Sequence, residues 1–237
     1  MRHLVIALCT LFSLSLSAQN KVIYDENVVT RPAGSFTKIE ISGGIDLFLS
    51  QSETEAIAVS GGNAQSRDAI ITTIENGVLK IYSDNKSWKI TRGYTKRVAY
   101  VSFKQLQKIT ASGSSDVVID GSLSGEELSI HLAGASDLKG SLAVKRLRLD
   151  QSGASDVTLK GTVADLEIMI SGASEVKAYE LQAETCKATA SGASDVKVTV
   201  TKTLSAVASG ASSIYYRGES SVTNIQSSGA SNISKKG

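Results

Sequence analysis

Five acidic residues recur at nearly even spacing in the second half of the chain: Asp116, Asp137, Asp156, Glu175 and Asp195. Each closes a short corner of the form Gly-Ala-Ser-Asp or a close variant. Carboxylate oxygens suit calcium, and at turns they also accept backbone N–H groups. If the corners stack one strand spacing apart, about 4.8 Å, neighbouring carboxylates repel by about 1 kcal/mol even in water. Such a file must therefore face solvent or be neutralised. Lys139, Lys177 and Lys197 follow an acid by two residues and so point to the same side of a strand. Local neutralisation is the favoured reading, with calcium along the file as the alternative. The Gly-Gly-x-Gly-x-Asp spacing of calcium-binding β-rolls is absent.

A second candidate is the segment Lys86-Ser-Trp-Lys-Ile-Thr-Arg-Gly-Tyr-Thr-Lys-Arg97, with five basic residues and no acid. Aromatic rings between cations can stack on sugars while the cations meet acidic groups. Trp88, Lys89, Arg92, Tyr94, Lys96 and Arg97 are the candidate ligand-binding residues. The plainer reading is the solvated tip of a hairpin.

Catalytic and zinc chemistry find little support. Beyond residue 18 the chain has one histidine, His131, flanked by apolar Ile130 and Leu132 and so outward on a strand. Ser-His-Asp catalysis needs a unique constellation, whereas serines and aspartates here are copied in every repeat. Cys186 holds a position that is leucine in other repeats, which marks a small core residue. Zinc sites need several cysteines and histidines.

Those side chains must be positioned by something periodic. Glycines 113, 134, 153, 172, 192, 210 and 229 open the corners, separated by 21, 19, 19, 20, 18 and 19 residues. A period near 20 is the mark of a stacked repeat protein. Six residues before the glycine stand Leu128, Leu147, Leu166, Cys186 and Leu204. Four before stand Ile109, Ile130, Leu149, Ile168, Ala188, Ala206 and Ile225. Four after stand Val117, Leu138, Val157, Val176, Val196, Ile214 and Ile233, with largely polar residues between. This alternation predicts strands with one buried face. Each repeat thus holds roughly two strands and two corners, and no segment has a convincing helical period. Three or four buried aliphatics contribute about 5–10 kcal/mol. Ordering a repeat costs about 1.5 kcal/mol per residue, so a lone repeat cannot fold. The expected fold is all-β, a single β-solenoid with coils of about 19–20 residues. The serine of each corner, from Ser115 to Ser231, reads as a hydroxyl ladder, with a binding strip as the alternative.

Residues 19–105 carry weaker copies of the pattern, with longer strands and Asn76-Gly77 as a hairpin turn. They are expected to cap the rod and to run continuously into the seven-coil region, 106–237. Residues 1–18 read as a signal peptide: Arg2, an apolar run from Leu4 to Leu16, then Ser17-Ala18. That run is too short to span a bilayer, which needs about 20 residues, and no later segment looks membrane-spanning. Removing it leaves 24 basic and 23 acidic residues, the 25 and 23 of the full chain less Arg2. Such balance argues against nucleic acid as a partner. Cys186 then remains alone, so no internal disulfide forms.

Ser42-Gly-Gly-Ile-Asp46 followed by Leu-Phe-Leu-Ser, then Asn76-Gly-Val-Leu-Lys-Ile-Tyr82, then serial Ser-Gly-Ala-Ser-Asp corners, resembles the exported auto-transporter adhesins with a head GIN domain. The resemblance runs from about Phe36 to Asn232. It implies a right-handed parallel β-helix related in shape to pectin lyases, Bacteroidetes-type bacteria as the source, and a role in adhesion. It carries over no catalytic residues. Asp46 departs from the asparagine of the family's name. The expectation is an exported, non-enzymatic module, periplasmic or at the cell surface, that needs no cofactor and binds a surface glycan or protein. A polysaccharide-cleaving β-helix enzyme and a purely structural rod are the alternatives. The final coil, rich in serine and lysine, is expected to act as a polar lid against edge association.

Overall fold

A computed structural model describes residues 27–83 and 96–237. The expected signal segment and Trp88, Lys89, Arg92 and Tyr94 lie outside the described residues. The chain forms a β-solenoid of about 7 turns, its coils about 19 residues apart. Five long strands each run from one glycine corner to the next: β9 (Val117–Leu132), β10 (Leu138–Gln151), β11 (Asp156–Ile170), β12 (Glu175–Ala190) and β13 (Asp195–Ala208). They stack parallel in register, so that Ile130 lies beside Leu149 and Leu149 beside Ile168. The two strands and two corners expected per repeat merge into one bent ladder. A further set of inward side chains beyond the second corner, among them Leu123, Leu142, Val163, Leu181 and Val200, completes the core.

The amino-terminal region is ordered differently in space than in sequence. β1 (Val29–Arg31) precedes the first coil, formed by β2 (Lys38–Ile41) and β3 (Asp46–Gln51). β4 (Ala56–Gly61), the one-turn helix α1 (Ala64–Asp68) and β5 (Ile70–Glu75) follow. The chain returns through β6 (Val78–Ser83) and β7 (Arg97–Phe103) to β8 (Lys108–Ala111). β2 pairs with β6 on one side and β8 on the other, and β3 lies between β7 and β9. The first coil in sequence is therefore second in the stack, and the connection from β7 to β8 passes over it.

Gln51, at the end of β3, holds this crossing. Its amide donates to the carbonyls of Lys104 and Ser124 at 3.1 and 3.0 Å and accepts from the Ser124 N–H at 2.8 Å. The far end is closed by antiparallel pairing of β4 with β7 and β1 and of β5 with β6. Residues 57–63, within the stretch of weaker repeat copies, form no corner but run from β4 into α1. Asn63 caps that helix, accepting from the Ser66 N–H at 2.8 Å while the Ser66 hydroxyl accepts from the Asn63 N–H. The Asn76-Gly77 hairpin forms as expected, both residues at positive φ.

One core cluster runs from Phe36 to Tyr216. The last coil comprises β14 (Ser213–Arg217), β15 (Ser221–Ser227) and β16 (Asn232–Lys235). It leaves Val222 41% and Ile225 47% exposed, so the end expected to be a polar lid carries two bare aliphatics.

Cys186 fills its leucine position in the core, and burial pushes its thiol up to about 12. Thiol reagents act on the thiolate. With residues 1–18 and their Cys9 removed, Ellman's reagent at neutral pH should label the folded chain negligibly and label it once in denaturant; rapid labelling of the native protein would contradict this placement.

Candidate functional site

The corners come first, because they aim everything else. Ser115, Ser136, Ser155, Ser174, Ser194 and Ser212 are buried rather than displayed. The Ser136 hydroxyl accepts from the Ser115 N–H at 3.1 Å, and Ser155 from Ser136 at 3.3 Å. Ser194 and Ser212 each donate to the carbonyl three residues back at 2.8 Å. The serine file is a hydroxyl ladder that satisfies the backbone between coils. It offers no binding strip.

The next residue of each corner points outward, and there the acids line up. Asp156, Glu175 and Asp195 are register partners, and the file extends past Asp116 to Asp46 on β3. Part of it is consumed by the backbone: Asp137 Oδ1 accepts from the Asp156 N–H at 2.9 Å. Part is neutralised as the spacing of the lysines predicts. Lys177 lies 2.9 Å from Glu175 and 3.3 Å from Asp156, and Lys197 lies 2.5 Å from Glu175. Burial alone would raise the Glu175 carboxyl, but hydrogen bonds from Lys197 and Lys177 outweigh it and hold the group below its ordinary range. Its contribution to stability is present at neutral pH and lost as pH falls through that lowered value. Among the described residues no three His, Cys, Asp or Glu side chains gather as a metal site.

Asp46 differs in kind. Burial, and secondarily the Asp116 charge, push its carboxyl above the usual 3.8, with Lys96 at 4.0 Å acting the other way. Two candidates drawn separately from the sequence, the acidic file and the basic segment, meet here. Arg97, also from that segment, donates to the Ser83 hydroxyl at 2.5 Å. A raised folded value means that stability from this group is greatest below 3.8 and declines as pH rises through it. Asp46→Asn should therefore raise Tm at pH 7, by less than about 1 kcal/mol in stability for so solvated a site. The gain should vanish below 3.8; an equal gain at both pH values would contradict the assigned cause.

Outward side chains on the strand after the corner form a file of which the sequence reading named only the lysines: Tyr100, Phe48, Val118, Lys139, Thr158, Lys177, Lys197 and Tyr215. The rings of Phe48 and Tyr100 stack with centroids 5.5 Å apart. Toward the other end Arg217 lies 4.0 Å over the Tyr179 ring, and Lys236 lies 4.6 Å over Tyr215. The signal for this file was present, since the alternation that sets the inward columns sets the outward ones too.

On the strand before the corner, a cleft of about 470 Å³ brings Glu127, Arg146, Arg148, Asp165, Glu167 and Lys187 together. These are the residue types a lyase would need, yet they are engaged with one another. Arg146 pairs with Glu127 at 3.1 Å, Arg148 with Glu167 at 2.8 Å, and Asp165 accepts from Thr185 at 2.8 Å. His131 lies 3.7 Å from Asp150 on the same face, half exposed.

The family described as putative auto-transporter adhesin, head GIN domain, matches residues 35–220. Among solved structures, a putative adhesin from Bacteroides fragilis NCTC 9343 superposes with a TM-score of 0.79 at 23% identity, over 90% of this chain and 98% of that one. A putative adhesin from Parabacteroides merdae ATCC 43184 gives 0.63 at 19% identity, over 90% and 98%. A putative lipid binding protein from Parabacteroides distasonis ATCC 8503 gives 0.64 at 20%, over 89% and 98%. At these identities the likeness establishes the fold. No curated protein matches the chain. No helix of the described residues is long and apolar enough to cross a membrane. With the match spanning corner after corner of the solenoid, the chain belongs to the auto-transporter adhesin, head GIN domain, family.

Proposed function

We propose that the chain is an exported, adhesin-like β-solenoid that binds a surface glycan or protein without catalysing a reaction. The observation that carries this reading is the outward face after the corner, with the rings of Phe48 and Tyr100 toward one end, those of Tyr179 and Tyr215 toward the other, and Lys139, Lys177 and Lys197 along it. Flat rings beside cations suit extended ligands that present apolar faces and polar edges. On the opposite face Arg146 and Arg148 are paired with Glu127 and Glu167. The family and the adhesin neighbours support the same reading.

Export rests on the signal-like residues 1–18, with the periplasm or the cell surface as destination. The basic segment ending at Lys96 and Arg97 is proposed as a second contact region, with Trp88, Lys89, Arg92 and Tyr94 as its remaining members. A glycan and matrix-protein array probed with the full chain should reveal saturable binding, without new reducing ends or unsaturated sugars. Trp88→Ala with Lys96→Ala should weaken that binding at unchanged Tm. Turnover abolished by Arg148→Ala or Glu167→Gln would instead favour the β-helix enzyme, acting in the cleft before the corner.

A further inference from the structure

Cations on the solenoid body are mostly matched one coil away. Lys145 pairs with Glu126 at 2.8 Å, Lys202 with Glu184 at 2.6 Å, and Arg146 and Arg148 pair as above. Lys139 and Lys160 break that habit. Among the described residues neither makes an ion pair, although they lie in adjacent coils beside the second corner.

Between them runs an open groove of about 790 Å³. Its floor is apolar and nearly without side chains, built from Gly121, Gly140, Ile119 and Leu159. A Cβ at Gly140 would come within 2.6 Å of the Ile119 Cβ, so the floor can hardly be filled by substitution there. Tyr179 forms the far wall, its ring steadied by Arg217. Lys177 and Lys197 reach the same groove but are already paired with Glu175 and Asp156, and Asp120 and Glu180 are the acids of its lining. Two exposed ammonium groups with no carboxylate partner among the described residues, beside a preformed trough, leave positive charge free to meet an anion.

We propose that this groove binds an anionic polysaccharide. Its uronate or sulfate groups lie against Lys139 and Lys160, and an apolar sugar face lies on Gly140 and Tyr179. The proposal rests on the ligand-binding reading above and names its ligand class. The trough is open along the rod and its cations recur from coil to coil, which suits a polymer better than a single small anion.

The test uses the full chain with polygalacturonate, dextran sulfate and neutral dextran, measured by calorimetry at two salt concentrations. At least one of the two anionic polymers should bind, more weakly at high salt, and neutral dextran should not. Which anionic polymer binds distinguishes carboxylate from sulfate. Lys139→Ala with Lys160→Ala should weaken binding about tenfold or more, the scale of one lost charge-assisted contact. Tyr179→Ala should weaken it as well. Lys38→Ala with Lys108→Ala removes the same charge from two register partners outside the groove and should change affinity less than about twofold. Equal losses in the two double variants would reduce the effect to bulk charge and overturn the site, as would unchanged binding by the groove variant. Binding to a neutral glycan or a protein but to neither polyanion would overturn the groove and leave the adhesin-like reading intact. Binding to nothing across the array would overturn both.

Discussion

Gly192→Ala should cost the solenoid far more stability than the same change at an uncrowded glycine. The glycine sits at a positive φ of 79°, which alone costs a residue with a side chain about 1–3 kcal/mol. The added Cβ would also lie 2.7 Å from the carbonyl oxygen of Gly172 and 3.0 Å from its nitrogen, in the coil before. Those atoms are backbone and cannot swing aside; the coils would have to separate. Separation would strain the 2.8 Å bond from the Ala193 N–H to that same carbonyl, the rung joining the two corners. A total loss of about 3 kcal/mol or more is expected. Denaturant melts should record it as a fall in midpoint at unchanged slope. Gly77→Ala, at a hairpin where nothing crowds the glycine, should show only the conformational part. Equal losses at the two positions would mean that coil contact contributes nothing.

Leu149→Ala is expected to cost about 2–5 kcal/mol, the range for a buried leucine whose cavity cannot collapse. Leu149 is fully buried between its register partners Ile130 and Ile168, and neither can fill the void without breaking its own ladder. Ile225 occupies the same column in the last coil but is 47% exposed, so Ile225→Ala should fall within about 0.5 kcal/mol. One column, two positions and a large difference in cost is the behaviour of a stacked core that ends at β15. Comparable losses at Leu149 and Ile225 would contradict it.

The repeat region was legible because it states one arrangement many times. Leu147, Leu149 and Val157 were placed inward from alternation alone, and all are buried. The acid–lysine pairing at Glu175, Lys177 and Lys197 followed from the parity of a strand. Exceptions to the period were harder. Gln151 occupies a column otherwise mostly apolar; it is buried and donates to the carbonyls of Ser155 and Glu175, a partnership no spacing rule announces. The amino-terminal order was not legible at all. The β2–β3 coil has the same local pattern whether it sits first or second in the stack, and only long-range pairing with β6, β7, β8 and β9 decides. Residues 57–63 show a related ambiguity: a Ser-Gly-Gly corner and a strand entering a capped helix look alike over seven residues. The rings after the corner escaped notice because Phe48, Tyr100, Tyr179 and Tyr215 lie far apart in sequence and share a face only once the coils are stacked.

Like residues filed above one another, one coil apart, are the foundation of each surface described. Paired cysteines test this most directly, because a disulfide forms only when Cα atoms lie within about 7 Å. Met169 and Thr189 are outward register partners in adjacent coils, whereas Val207 lies one coil further on. Met169→Cys with Thr189→Cys should oxidise within the native chain, while Met169→Cys with Val207→Cys should stay reduced; the reverse pattern, or closure of neither pair, would contradict the stacking.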